Sequence, residues 1–404
     1  MIEINTAGEN RVSTNRLFVL SVCCLVIFTD MVGYSIIAPS IPLFAKLFNA
    51  SDAAISYAFA AYPVAFLLTI IPFGFVVDRI GKNYLVIGVG LFSLAAACFT
   101  LIFSESIVTF SLARAFQGIG SAASWVAAQP LAAQKIDASK KKGLEVGSIT
   151  IAMGLGMILG PLIGSIGGLR TPFIINFFLA LGIGMLSLFA LKGESVEERA
   201  VNYDYLSIIK RTNIIVACLV IMFLFASTGM MEVLFPLYMD SLGYMKGSIG
   251  VLFFVLSLCL VLGQPFTGSW MDRVGPHLPI FIGFIAIALS LSLMVFFTSF
   301  TGWVPVFVLF GVALGMLTSA SMLLIALNSK PGEQGAAYGI WNFSFSVGYL
   351  VGPALGGTLS DISRTLAPSV GIQAPFFFFT VLLLSCLVFF GFVLARTKRL
   401  STNV

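Results

Sequence analysis

Residues 74–83 read GFVVDRIGKN and residues 268–277 read GSWMDRVGPH. Both contain G-x3-D-R-x-G, and Asp272 follows Asp78 by 194 positions. A second motif repeats at nearly the same distance: GPLIGSIGG begins at Gly160 and GPALGG at Gly352, 192 positions later. Two unrelated motifs at one offset imply a duplicated unit.

What is duplicated follows from composition. Apolar residues make up 59% of the 404-residue chain and charged residues 10%, with a mean hydropathy of +1.04. A soluble domain has about a quarter of its residues charged. Apolar stretches long enough to cross the hydrocarbon core as helices fall near 17–41, 53–77, 83–103, 106–131, 145–168, 171–191, 212–239, 247–270, 278–299, 302–327, 335–360 and 374–395. The expected fold is all-α: twelve transmembrane helices in two pseudo-symmetric six-helix bundles, 1–191 and 212–404. A polar cytoplasmic linker, 192–211, joins them. No loop is long enough for a separate soluble domain.

An even span count puts both termini on one side. If that side is the cytoplasm, seventeen of the 22 Lys and Arg fall in inner segments, four (Lys46, Arg170, Lys246, Arg364) in outer loops, and Arg114 within span 4. That bias is a positive-inside signal, so both termini are expected in the cytoplasm and the chain in the plasma (inner) membrane. The net charge of +5 comes from residues at membrane boundaries rather than a patch, so it suggests nothing about nucleic acid, and no nucleic-acid partner is expected. The N-terminal stretch lacks a cleavable signal pattern. The six cysteines lie inside apolar runs, with neither a disulfide framework nor metal-ligand spacing. No metal or other cofactor is expected. Neither HExxH nor a nucleophile paired with a base is present, so an enzyme is not expected.

The loop after span 2 needs Gly81 for backbone freedom, and Gly74 should let a neighbouring helix approach. Asp78, Arg79 and Lys82, with Asp272 and Arg273 in the repeat, read as charged latches that gate a rocking motion. The G-x3-D-R-x-G-K pattern resembles the signature loop of the major facilitator superfamily, and GSWMDRVG its weaker second copy. Span 4 contains LARAFQGIGSAASW; its Arg114, Gln117, Gly118 and Gly120 are similar to the superfamily motif linked to proton coupling. Span 5, with Gly156, Gly160, Pro161 and Gly164, resembles the motif of its proton-driven exporters; glycines four apart make a flat packing face and proline bends the helix. TDMVGYSIIAPSIP, GMMEVLFPLYM and FSVGYLVGPALGG resemble the vesicular amine transporters and related drug–proton antiporters. The chain departs from monoamine carriers: span 10 has no acid, span 11 has Asn342 where an acid is expected, and span 2 has no lysine. A prokaryotic-type exporter of that branch fits better.

Thirteen uncharged residues precede Asp30 and fifteen follow it. A carboxylate inside a span is functional by default, and removal from water favours its neutral form, so it can load and release protons. Asp30 and Glu232 are the deep acids, and Arg114 a possible partner of Asp30 if span 4 faces span 1. These three are the expected proton-coupling residues. Tyr34, Trp125, Gln129, Asn176, Tyr238, Trp341, Asn342 and Tyr349 are candidates to line a substrate cavity. His277, the one histidine, is expected to be exposed at a cytoplasmic turn. The implied function is a monomeric proton-coupled antiporter exporting a small organic, cationic or amphipathic solute, with protons and the lipid bilayer as its other partners. An uptake symporter, an exporter of an anionic metabolite or siderophore using Arg114, and a transporter-like receptor are the alternatives.

Overall fold

The computed structural model describes residues 5–134, 142–194, 205–330, 333–367 and 370–402. Among the described residues twelve long helices run in order: α1 Asn5–Ser35, α2 Asp52–Ile80, α3 Asn83–Ile102, α4 Ile107–Gln134, α5 Lys142–Ser165, α6 Thr171–Ala190, α7 Thr212–Ser241, α8 Lys246–Val274, α9 His277–Phe296, α10 Phe300–Asn328, α11 Gln334–Leu366 and α12 Ala374–Thr402. There is no strand among the described residues, so the all-α fold stands. Ten of the helical segments are long and apolar enough to cross a membrane. The other two long helices are α4, which carries Arg114, Gln117 and Gln129, and α11, which carries Asn342 and a run of Gly and Ser. Phe75, Phe189 and Phe266 are each more than 70% exposed, an outward apolar surface suited to lipid.

One boundary moves. Hydropathy extends the first span over 17–41, but α1 ends at Ser35, followed by a 3-10 turn at Ala38–Ser40 and a separate helix at Ile41–Phe48. Pro39 and Pro42 lack the N–H that continuation would need. In the linker, Tyr205–Ile209 is a short helix; Lys135, Lys140, Lys141 and Arg199 lie outside the described residues, as does the side chain of Asp78.

By contact the chain divides into two compact units. One is Met1–Ser40 with Ala61–Arg199, and the other Ile41–Ala60 with Ala200–Val404. Glycine seams organise each. In the first, a Cβ on Gly156 would lie 2.6 Å from the Phe28 carbonyl oxygen, one on Gly160 2.9 Å from Ser35 Cβ, and one on Gly164 2.5 Å from the Ile36 carbonyl oxygen. These three therefore hold α5 against the backbone of α1. Gly118 and Gly120 do the same for α4, against Tyr62 of α2 and Gly90 of α3. In the second unit Gly348, Gly352 and Gly356 press α11 onto Met222, Ala226 and Met230 of α7.

The seams give the register of the repeat. Gly156 meets the carbonyl of Phe28, and Gly348, 192 positions on, meets that of Met222, 194 positions after Phe28. The equivalent of Asp30 is therefore Leu224, and Glu232 stands eight residues further along α7. At about 1.5 Å per residue this is roughly 12 Å. Glu232 is not the register counterpart of Asp30.

Within the second unit, residues 41–60 are strapped to α7 and α11. Lys46 pairs with Asp240 at 2.5 Å and Arg364 with Asp52 at 2.8 Å. Ser360 donates to Asp52 at 2.6 Å. Asp361 accepts from the backbone N–H of Asp52 and of Ala53, each at 3.2 Å, so a carboxylate from α11 caps the N-terminus of α2.

Candidate functional site

The first unit builds a polar stripe where α4 packs on α1. Arg114, Gln117, Ser121 and Trp125 recur at i, i+3, i+7 and i+11, one face of a helix. Asp30 is 1% exposed. Its Oδ1 accepts from Ser121 Oγ at 2.6 Å and its Oδ2 from Trp125 Nε1 at 2.7 Å. Three residues along α1, the Gly33 carbonyl accepts from Gln117 Nε2 at 2.5 Å. The helices therefore run antiparallel here: moving up α1 from Asp30 to Gly33 matches moving back along α4 from Trp125 to Gln117.

That register decides the role of Arg114. It lies seven residues from Ser121, about 10 Å along the axis, beyond the reach of the Asp30 carboxylate. Span 4 does face span 1, yet Arg114 does not pair with Asp30. The fully buried guanidinium donates to Gln117 and lies 4.7 Å from the centroid of the Tyr62 ring. Tyr34 packs on Tyr62, ring centroids 5.6 Å apart. A cation over an aromatic face is stabilised by the ring quadrupole, more so away from water. Asn176 on α6 is buried and donates to Cys98 Sγ at 3.3 Å. Gln129, half-buried on α4, lies one turn beyond Trp125.

In the second unit the α11 seam brings Tyr349 to α7, where its hydroxyl donates to the Glu232 carboxylate. Tyr349 is fully buried and Glu232 half-buried. Trp341, Phe345 and Tyr349, four residues apart, stack in a column. The interplanar angles are 13° and 5°, and the centroids are 6.3 and 6.1 Å apart. Phe225 of α7 meets Phe345 edge-on at 4.2 Å, and Trp341 Nε1 donates to Ser321 of α10 at 3.0 Å. Asn342 leaves the column: it is exposed and donates to the Tyr338 carbonyl of its own helix at 3.0 Å. Tyr238 sits in a packed aromatic cluster with Phe235 and Trp303, so it is a core residue there.

The loop residues divide. Gly81 has φ +62° and its N–H donates to the Val77 carbonyl at 2.9 Å; Gly275 has φ +74° and donates to Met271 at 2.8 Å. Both end a helix in the left-handed region that glycine tolerates. Arg79, Lys82, Asp272 and Arg273 are exposed. No neighbouring helix approaches Gly74: a Cβ there would meet nothing within 4 Å among the described residues. His277 is half-buried rather than exposed, its ring 6.1 Å from that of Phe390. The described residues hold no group of three or more His, Cys, Asp and Glu placed to bind a metal.

Ser121, Phe345, Phe225 and Ser321 do not stand out in the sequence alone. For Ser121 a signal is present, in the i, i+3, i+7, i+11 spacing of LARAFQGIGSAASW.

The profile of the Major Facilitator Superfamily matches residues 23–247 and 217–404. The human synaptic vesicular amine transporter is 27% identical over 312 residues, 75% of this chain and 60% of that protein. The chain therefore spans little more than half of that relative's length. Multidrug resistance protein 2 of Bacillus subtilis (strain 168) is 27% identical over 356 residues, 83% of this chain and 87% of that protein. Among solved structures, a bacterial homolog of the human lysosomal transporter Spinster superposes with a TM-score of 0.79 at 13% identity, covering 95% of this chain and 97% of the other. The nucleoside transporter NupG superposes with a TM-score of 0.77 at 13% identity, covering 93% of this chain and 98% of the other. At such identity the structures speak for the fold alone.

Proposed function

The chain belongs to the major facilitator superfamily, and from that premise we propose that it is a proton-coupled antiporter exporting a small cationic or amphipathic organic solute. Membership makes it a multi-pass membrane transporter and not an enzyme. The observation that carries proton coupling is Asp30: a fully buried carboxyl in mid-span, held among the described residues by one hydroxyl and one indole N–H and by no cation. A carboxyl so placed has no ion pair to break, so it can take up and release a proton by changing its own charge alone. Glu232, half-buried beside a column of stacked rings, suits recognition of a cation through charge and aromatic faces. Export is supported by the resemblance of the Gly156–Gly160–Pro161–Gly164 run to the motif of proton-driven exporters and by the name of the Bacillus relative. The positive-inside bias of the sequence supports both termini on the cytoplasmic side of the plasma membrane.

In the proposed cycle a proton enters from outside and neutralises Asp30, the bound cation loses its attraction and leaves to the outside, and access then passes to the cytoplasmic face. The test is transport by the full chain in proteoliposomes under an imposed pH gradient, with a panel of organic cations, zwitterions and anions. Uphill movement of solute against the proton flow supports antiport; uphill movement in the same direction as the protons rules it out.

A further inference from the structure

The two donors on Asp30 differ in one respect that fixes where a proton can go. An indole N–H only donates, whereas a hydroxyl donates or accepts. We propose that Trp125 is a fixed donor to Oδ2 and Ser121 a reversible partner of Oδ1, so that Asp30 carries its proton on Oδ1. This rests on the reading of Asp30 as the coupling acid.

In the ionised state the Ser121 hydroxyl and the Trp125 N–H both donate to the carboxylate. A proton arriving from water forms the Oδ1–H bond. The Ser121 hydrogen then turns away from Oδ1, and Ser121 Oγ accepts from the new acid. The displaced hydroxyl hydrogen has an acceptor in its own helix, the carbonyl four residues earlier, at Gln117. That is the bond Thr29, Ser35 and Ser227 make elsewhere in the chain, at 2.8, 2.7 and 2.9 Å, and it is a common resting place for a helical serine. Oδ2 becomes the carbonyl oxygen and keeps its bond from Trp125. A proton on Oδ2 would instead face an N–H that cannot accept it. Ser121 and Trp125 are thus positioning residues.

Among the described residues the hydrogen-bonding partners of Asp30 are neutral. On α4, Arg114 is bonded to Gln117 and stacked on Tyr62. Close neighbours of this part of α1 include Gly156 and Gly160 of α5, Leu94 of α3 and Asn176 of α6; none of these titrates.

The test is an infrared difference titration of the full-length protein in lipid vesicles, following the protonated-carboxyl C=O band that Asp30→Asn removes. It needs no solute. Trp125→Phe should move that band to higher wavenumber, because the carbonyl oxygen loses its donor. Ser121→Ala should leave the band position close to wild type but raise the titration midpoint by roughly one pH unit, since a hydrogen bond to the ion is lost and it outweighs the weaker one lost from the acid. Ser121→Thr keeps the hydroxyl and the wild-type midpoint. Should Ser121→Ala fail to reconstitute, Ser121→Cys, a weaker donor, gives a smaller shift of the same sign. The assignment is overturned if Ser121→Ala moves the C=O band as far as Trp125→Phe does, or if Ser121→Ala and Ser121→Thr titrate alike. If no band depends on Asp30, the coupling reading itself falls and this assignment with it.

Discussion

A single carboxylate in an apolar run was enough to locate Asp30, because a charge in hydrocarbon has few explanations. Its partners were harder to read. Trp125 stood out as a large amphipathic residue, but Ser121 is one small hydroxyl among many, and helical serines usually satisfy themselves on their own backbone. Arg114 looked like the natural counter-ion, yet a linear sequence does not give the register between two helices, and seven residues of offset send it to Tyr62 and Gln117 instead. The same limit hid the pairing of Tyr349 with Glu232. That pairing is open to a double-mutant cycle. Tyr349→Phe keeps the stack on Phe345 and removes only the hydroxyl, while Glu232→Gln removes the charge. Each should lower the stability of detergent-purified protein by about 1 kcal/mol, and the double variant should lose less than the sum. Additive losses in chemical denaturation would show that the bond contributes nothing.

Elements were legible in kind and less so in detail. Twelve long helices match the twelve runs read from the sequence, although α4 and α11 are less apolar than the other ten, and Pro39 and Pro42 end α1 earlier than hydropathy alone suggests. Hydropathy sees the bilayer, not the backbone N–H inventory. Glycine motifs named which helices pack closely without naming their partners, and they were equally silent on which glycine has no partner at all. This separates Gly164 from Gly74. Gly164→Ala drives a methyl group against the Ile36 carbonyl, which backbone cannot easily yield, so a destabilisation of about 1–3 kcal/mol is expected. Gly74→Ala meets open space and removes a mid-helix glycine, so a gain of roughly 0.5–1 kcal/mol is expected. Denaturation of the two purified variants checks the contrast; equal effects would refute the seam. At the start of α7 a second element-level contact responds to pH. Arg211 pairs with Glu333 at 2.7 Å and donates to the Asn328 carbonyl at 2.8 Å. The hydrogen bond from Arg211, with help from the Lys330 N–H, holds the Glu333 carboxyl below the usual glutamate range. A depressed acid contributes its stabilisation above the unfolded-state value and loses it as pH falls through the folded-state value. Glu333→Gln should therefore matter at neutral pH and cease to matter in strong acid. A stability difference that persists unchanged into strong acid would refute this.

At the scale of the whole chain, duplication gave the architecture, and its failure gives the functional asymmetry. Both halves keep the glycine seam, the left-handed glycine after the D-R pair and the arrangement of helices around them. Only the first keeps an acid at the level of Asp30; the equivalent position in the second is Leu224, and the acid of that half stands about 12 Å further along its helix, half-buried rather than sealed. Sequence offsets between motifs were sufficient to show the repeat, but only the seam contacts fixed the register finely enough to tell a counterpart from a neighbour. Two acids in unlike surroundings should do unlike work. Asp30→Asn replaces the carboxyl with a neutral group of the same shape, a permanent mimic of the protonated state. In proteoliposomes it should abolish uphill transport driven by a pH gradient and also weaken exchange of a cationic solute, because the charge that attracts the cation is gone. Glu232→Gln should keep the response to the gradient and weaken the apparent affinity for a cationic solute about tenfold, the effect of losing one charge-assisted contact of about 1.4 kcal/mol. If Glu232→Gln abolishes the gradient response and Asp30→Asn leaves it intact, the two roles are reversed, and the buried hydroxyl–indole site is structural.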